Sequence, residues 1–264
     1  MLSTDIKSLN STAKGNPDRA IGKSLRTASN YPVYYRIITK CGCTFALNVL
    51  FHLQYGHLSA DPFRVHDQPP VIPLADTTSN TDITDSPYAF IIIRDPVKRF
   101  MSLYFDKIYG KPRKSEKFGL GDYFIENHLI DSDAGSNAQK HRDNCIRSIQ
   151  WIRQNLKGAT DQPKNYHWKP QHFKLKQIRR FKFHVLMLED IHFQLGKTLK
   201  PLIPNINAIM NAVSVPNQSQ KPAKTEDVLN DELCQLISDT YRKDTIIHRE
   251  VSTYWHNLKE NMHG

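Results

Sequence analysis

A chain of 264 residues, 39% hydrophobic and 23% charged, is long enough to bury a core of its own and fits one large domain with modest insertions. Its apolar stretches are short, YAFIII at 88–93 among the longest. They fall well below the roughly 18 apolar residues of a membrane-spanning helix, and the mean hydropathy of -0.54 points the same way. The net charge of +10 asks for an anionic partner, and composition does not choose among nucleic acid, acidic polysaccharide and phosphorylated nucleotide.

Residues 1–30 are polar and lack the apolar core of a targeting signal. They read as a mobile lead-in, and the expected setting is cytoplasmic, with no transmembrane segment. The four cysteines, Cys41, Cys43, Cys145 and Cys234, are then expected to be reduced, and with no CxxC pair among them no metal site is expected. The first strand signal is VYYRIIT at 33–39, rich in β-branched and aromatic residues. A tight turn, KCGCT, leads into FALNVLFHLQYG at 45–56, where Phe45, Val49, Leu50 and Leu53 recur at helical spacing and Gly56 is a suitable stop. Residues 57–87 hold five prolines and read as a loop insertion.

YAFIII then reads as a strand buried on both faces of a parallel sheet. RDP follows it, with Pro96 suited to a first helical turn, and VKRFMSLYFDKIYG continues as a helix. A second insertion falls near 109–140, a helix at 137–157 and an aromatic-basic loop at 161–173. The third strand is KFHVLML at 182–188, with a helix after it from Glu189. A polar, proline-containing loop at 201–224 leads to a last helical region at 226–250 and a tail at 251–264. Strands alternating with helices predict an α/β fold with a mainly parallel central sheet, a single domain over 31–250.

Ligands of such sheets bind beyond the carboxyl ends of the strands, where strand passes into helix. Both strong junctions put a cation there, Lys40 at the first and Arg94 at the second. In KCGCT, Gly42 permits close backbone approach, successive N–H groups can form an anion nest, and Thr44 adds a hydroxyl. The same five residues are also compatible with an ordinary turn carrying a surface lysine. No Walker motif is present, and the lysine precedes the glycine. At the second junction Ser102 lies eight residues after Arg94, about two helical turns, so an arginine and a hydroxyl are available for a second phosphate. Asp95 is placed to cap the helix or to orient an arginine, with Arg99 as a partner.

Two anion cradles on neighbouring strand ends suit a nucleotide phosphorylated at both ends of its ribose. Here the chain resembles the sulfotransferases that use 3′-phosphoadenosine 5′-phosphosulfate (PAPS), most closely the carbohydrate branch, sulfotransferase family 2. TKCGCTFALNVL (39–50) is similar to the family's 5′-phosphosulfate loop and IIIRDPVKRFMSLY (91–104) to its 3′-phosphate motif. HWKPQ (167–171), FHVLMLEDI (183–191) and LISDTYRKD (236–244) add to the likeness, which spans about 31–245. The resemblance implies a P-loop-like three-layer fold with helices flanking the sheet. It implies that Lys40, Cys41, Gly42, Cys43 and Thr44 hold the phosphosulfate, that Arg94 and Ser102 hold the 3′-phosphate, and that Asn217 and Lys221 close over the nucleotide.

The implied activity is transfer of a sulfuryl group from PAPS to a hydroxyl of a glycan or other hydroxyl-bearing acceptor, an anionic one matching the chain's charge, leaving 3′,5′-ADP (PAP) and requiring no metal. A cation aimed at the leaving phosphate oxygen stabilises the charge that develops there, which is the role for Lys40. Among the twelve histidines, His167 in HWKPQ is the first candidate for the general base, with Glu189 the carboxylate alternative. Tyr166, Trp168 and Phe173 suit either stacking on a sugar or packing of the loop. The competing readings are a P-loop-like phosphotransferase and a basic nucleic-acid-binding module. The first lacks the Walker Lys-Ser pair, and the second lacks a recognisable motif.

Overall fold

The computed structural model describes residues 6–10, 25–28, 30–66, 86–110, 119–179, 181–213 and 221–262. In chain order these form α1 (Lys7–Asn10), β1 (Leu25–Ala28), β2 (Val33–Arg36), α2 (Cys43–Tyr55), β3 (Ala89–Ile93) and α3 (Pro96–Leu103). There follow α4 (Leu120–Glu126), α5 (Ala138–Lys157), α6 (His172–Ile178), β4 (His184–Met187), α7 (Ile191–Leu199) and α8 (Ile206–Ala212). The chain ends in α9 (Thr225–Val228), α10 (Asp231–Thr240) and α11 (Arg242–Glu260). The result is an α/β fold of the P-loop-like kind. No helix among the described residues is long and apolar enough to cross a membrane.

The chain divides into two compact units. The first, 1–94 with 171–216 and 246–264, holds the sheet in the order β1-β2-β3-β4. β2 runs parallel to β3 and β3 to β4, with Tyr34 opposite Ala89 and Ile91 opposite Val185, while β1 is antiparallel to β2. The AFIII of β3 is buried at every position, as expected of a central strand with both faces covered. Tyr35 stacks on Phe90 at 5.0 Å between ring centroids. α2 buries Phe45, Val49, Leu50 and Leu53 in this core, the residues its spacing singled out.

The second unit, 95–170 with 217–245, has its own core. Phe100, Leu103 and Tyr104 join Phe124, Ile149, Ile152 and Trp168, with Leu233, Ile237 and Tyr241 from α10 and its end. α3 does not continue as one regular helix, because Tyr104–Ile108 widens into a π-turn, a feature that recurs at functional sites.

Several boundaries differ from those read in the sequence. The strand expected over 33–39 stops at Arg36, because the chain must turn before Lys40, although Ile38 remains buried. Leu25–Ala28, inside the polar lead-in, forms the edge strand β1, and Ile6 is buried. The last helix runs past 250 to Glu260, with Val251 and Trp255 one turn apart in the core of the first unit. The Trp255 indole N–H donates to the carbonyl of Val185 at 2.9 Å. Segments 67–85 and 111–118, which belong to the two expected insertions, lie outside the described residues.

Candidate active site

The turn between β2 and α2 is built from two left-handed residues, Lys40 (φ 66) and Gly42 (φ 73). For glycine this conformation is free, whereas for an L-residue with a side chain it costs about 1–2 kcal/mol. A Cβ at Gly42 would also press on the Leu188 side chain, which would have to shift. Gly42 is the N-cap of α2, and no side chain caps that helix start. The first-turn N–H groups and the positive end of the helix dipole thus remain available to an anion.

The cysteines of this turn serve its architecture. Cys41 is fully buried and its thiol donates to Gln171 Oε1 at 3.1 Å. Burial pushes the Cys43 thiol up from its ordinary value, against the opposing pull of the Lys40 ammonium, so Cys43 stays a neutral thiol. Among the described residues no three His, Cys, Asp or Glu side chains gather as a metal set would. The Thr44 hydroxyl lies 3.0 Å from His66 Nε2, and Asn48 donates to the Thr44 carbonyl at 2.8 Å and to that of Pro62 at 3.0 Å.

The second turn leaves β3 at Arg94, and the same side chain reaches it. The backbone N–H of Arg94 donates to Gln171 Oε1 at 3.0 Å, and Gln171 Nε2 donates to the Arg94 carbonyl at 2.8 Å. The Arg94 guanidinium reaches back to the Lys40 carbonyl at 3.3 Å. The first unit therefore brings Lys40, Cys41, Gly42, Cys43, Thr44 and Arg94 together at the carboxyl ends of β2 and β3, joined by Gln171. Gln171 closes the HWKPQ stretch, where no role was expected of it.

Ser102, His167 and Lys221 lie in the second unit. Asp95 caps α3 by accepting from the Lys98 N–H at 2.9 Å, and Ser102 sits half-buried in the helix's last turn. One turn on, the Phe105 ring lies 5.6 Å from the Lys221 ammonium, which also donates to Thr225 Oγ1 at 2.9 Å. Asn217 lies outside the described residues.

His167 is half-buried in a loop held through its backbone. The Asn165 carboxamide accepts from the His167 N–H at 2.9 Å. Arg99, only 3% exposed, donates to the carbonyls of His167 and Lys169 at 3.1 and 3.0 Å. The Tyr241 hydroxyl donates to the Trp168 carbonyl at 3.0 Å. Burial pushes the Tyr241 phenol up, with Asp244 adding to the shift and Arg99 opposing it, so it stays a donor. Trp168 is buried, gives its indole N–H to Asn155 Oδ1 at 2.8 Å and packs edge-on against Trp151. Trp168 therefore packs the loop. Tyr166 is exposed, 61% accessible, and Phe173 is exposed too, and the Tyr166 ring lies 4.2 Å from that of His167. Tyr166 and His167 border a cavity of about 500 Å³ in the second unit, with Lys107, Tyr123, Trp151 and Gln162 among its walls. Glu189 is engaged elsewhere, 3.4 Å from His248 Nε2 in the first unit.

A sequence model described as the sulfotransferase family matches residues 23–249. No curated protein and no solved structure matches the chain.

Proposed function

The chain belongs to the sulfotransferase family, and from that premise we propose that it transfers a sulfuryl group from PAPS to a carbohydrate hydroxyl. The observation that carries the reading is the pair of cationic turns on adjacent parallel strands, tied to one buried glutamine. An uncapped helix start beside a left-handed Lys40–Gly42 turn fits a phosphosulfate. Arg94 at the neighbouring strand end, with Ser102 on the helix that follows, supplies donors for a 3′-phosphate. The donor nucleotide brings the sulfuryl group on a stabilised phosphate leaving group.

The remaining chemistry belongs to the protein. The Lys40 ammonium meets the negative charge that grows on the leaving oxygen, a contact stronger in the transition state than before it. His167 accepts the proton of the attacking hydroxyl from a loop whose backbone is fixed by Arg99 and Tyr241. The aromatic and amide groups around the cavity beside His167 have the makeup of a sugar site, where rings stack and polar atoms orient hydroxyls. Lys221, whose ammonium lies over Phe105, is assigned in this reading to closing over the nucleotide.

The test is ligand-induced thermal stabilisation followed by a transfer assay. With 3′,5′-ADP at 100 times its Kd, binding should add about 2.7 kcal/mol to stability and raise Tm without metal. Stabilisation by ATP with magnesium and none by 3′,5′-ADP would sink the proposal in favour of a phosphotransferase. Affinity for duplex DNA that falls steeply with salt, with no response to either nucleotide, would favour a nucleic-acid module.

A further inference from the structure

The carboxamide of Gln171 is 2% exposed, and its oxygen takes donors from two separate turns, the Cys41 thiol and the Arg94 N–H. Its nitrogen faces the Arg94 carbonyl, so the orientation of the amide is fixed by its partners. The residues it joins are 130 and 77 positions away in sequence. A second tie runs parallel to it, from the Arg94 guanidinium to the Lys40 carbonyl. The turn for one anion and the strand end for the other are thereby held to a single rigid side chain.

We infer that Gln171 is a positioning residue that sets the span between the two anion sites, and so makes the protein select a nucleotide phosphorylated at both ends of its ribose. The inference rests on the donor-site reading above and goes beyond it, because it gives the selectivity to a residue that touches neither phosphate. When both turns are prearranged, a ligand held by its 5′-phosphate meets the second site already in place. When they move independently, the ordering cost falls on the 3′-phosphate alone. Loss of the strut should therefore weaken the bisphosphate far more than the monophosphate. A residue needed only for folding would weaken both alike.

The experiment compares binding of 5′-AMP and 3′,5′-ADP by calorimetry, using the full chain. In the wild-type protein the 3′-phosphate should tighten binding roughly 30-fold or more, the range of one charge-assisted contact. Gln171→Met keeps side-chain volume and removes all three bonds. It should cut that gain below about fivefold while changing the 5′-AMP Kd less than about threefold. Asn144→Leu is the matched control. Asn144 is buried in the second unit, pairs with the N–H and carbonyl of Asp131 at 2.9 and 3.0 Å and accepts from Arg147 Nη2 at 2.6 Å, three bonds to match the three of Gln171. It should lower Tm and leave the selectivity intact.

If Gln171→Met does not fold, Gln171→Glu is judged by the same ratio. It retains an acceptor for Cys41 and Arg94 but sets an oxygen against the Arg94 carbonyl. A folded Gln171 variant with undiminished selectivity, or an equal loss in Asn144→Leu, overturns the inference and leaves the donor site standing. A wild-type protein that gains nothing from the 3′-phosphate overturns the donor-site reading itself, and the inference with it.

Discussion

Lys40 holds a left-handed backbone that a residue with a Cβ adopts at a cost, and that cost is separable from the chemistry of its ammonium. Lys40→Ala and Lys40→Gly both delete the side chain beyond Cβ, so any contacts of the ammonium cancel between them. Alanine keeps the strain of about 1–2 kcal/mol. Glycine relieves it but adds about 0.5–1 kcal/mol of backbone entropy lost on folding. The difference spans about 0–1.5 kcal/mol and centres on about 0.75 kcal/mol in favour of Lys40→Gly, which at this chain length is a Tm higher by about 2–3 °C. Both variants should lose turnover by about 10²–10³-fold, the usual effect of removing one donor at a developing oxyanion. Calorimetric unfolding and a radiolabelled transfer assay, run on the same preparations, measure the two quantities. If Lys40→Gly is less stable than Lys40→Ala, the turn is not strained at this position. If either variant turns over at the wild-type rate, the ammonium does not act at the leaving group.

Arg94→Ala should raise the Kd for 3′,5′-ADP by roughly 10–100-fold, the worth of a hydrogen bond to a charged group. The Kd for 5′-AMP should move much less, and equal losses for both would remove Arg94 from the 3′-site. Tyr241→Phe deletes only the hydroxyl that holds the buried Trp168 carbonyl, and should cost about 1–3 kcal/mol on urea titration together with a drop in kcat. Unchanged stability would mean that the bond is not formed in solution. His167→Ala should lower kcat by about 10²–10⁴-fold with the 3′,5′-ADP Kd unaltered, and normal turnover would send the search for the base to another side chain.

The parts of the fold legible in the sequence are those encoded locally. AFIII announces a buried strand because nothing polar interrupts it, and Phe45, Val49 and Leu50 announce a helix by their spacing. Gly42 and Pro96 mark the two junctions through their own backbones. Leu25–Ala28 carried no such signal, being four residues with Arg26 and Thr27 in the middle, and it becomes a strand only by pairing with Val33–Arg36. Val251 and Trp255 fall in the stretch expected to be a tail, and it continues as helix with both in the core and the Trp255 indole bonded to Val185, 70 residues earlier. Arg99 was matched to its near neighbour Asp95, whereas its guanidinium holds carbonyls 68 and 70 residues away. Proximity in sequence predicts caps, and it does not predict the partners of a buried arginine.

The stretch HWKPQ shows why a motif read through its most reactive residue can hide most of its content. Its histidine drew attention as the titratable group, yet the boundary between the two compact units falls inside it, between Pro170 and Gln171. Trp168 contributes to the core of the second unit, and the carbonyls of residues 167, 168 and 169 are held there by Arg99 and Tyr241. Three residues after Trp168, Gln171 braces the strand ends of the first unit. Five consecutive residues therefore answer to two separate sets of constraints. Substituting the imidazole alone should spare both sets, because the Arg99 and Tyr241 bonds run to backbone carbonyls and the Gln171 bonds do not involve it. Substituting Trp168 or Gln171 should disturb one set each, with loss of stability at the first and loss of donor selectivity at the second. That division, rather than the presence of a histidine, is what the spacing of the motif encodes.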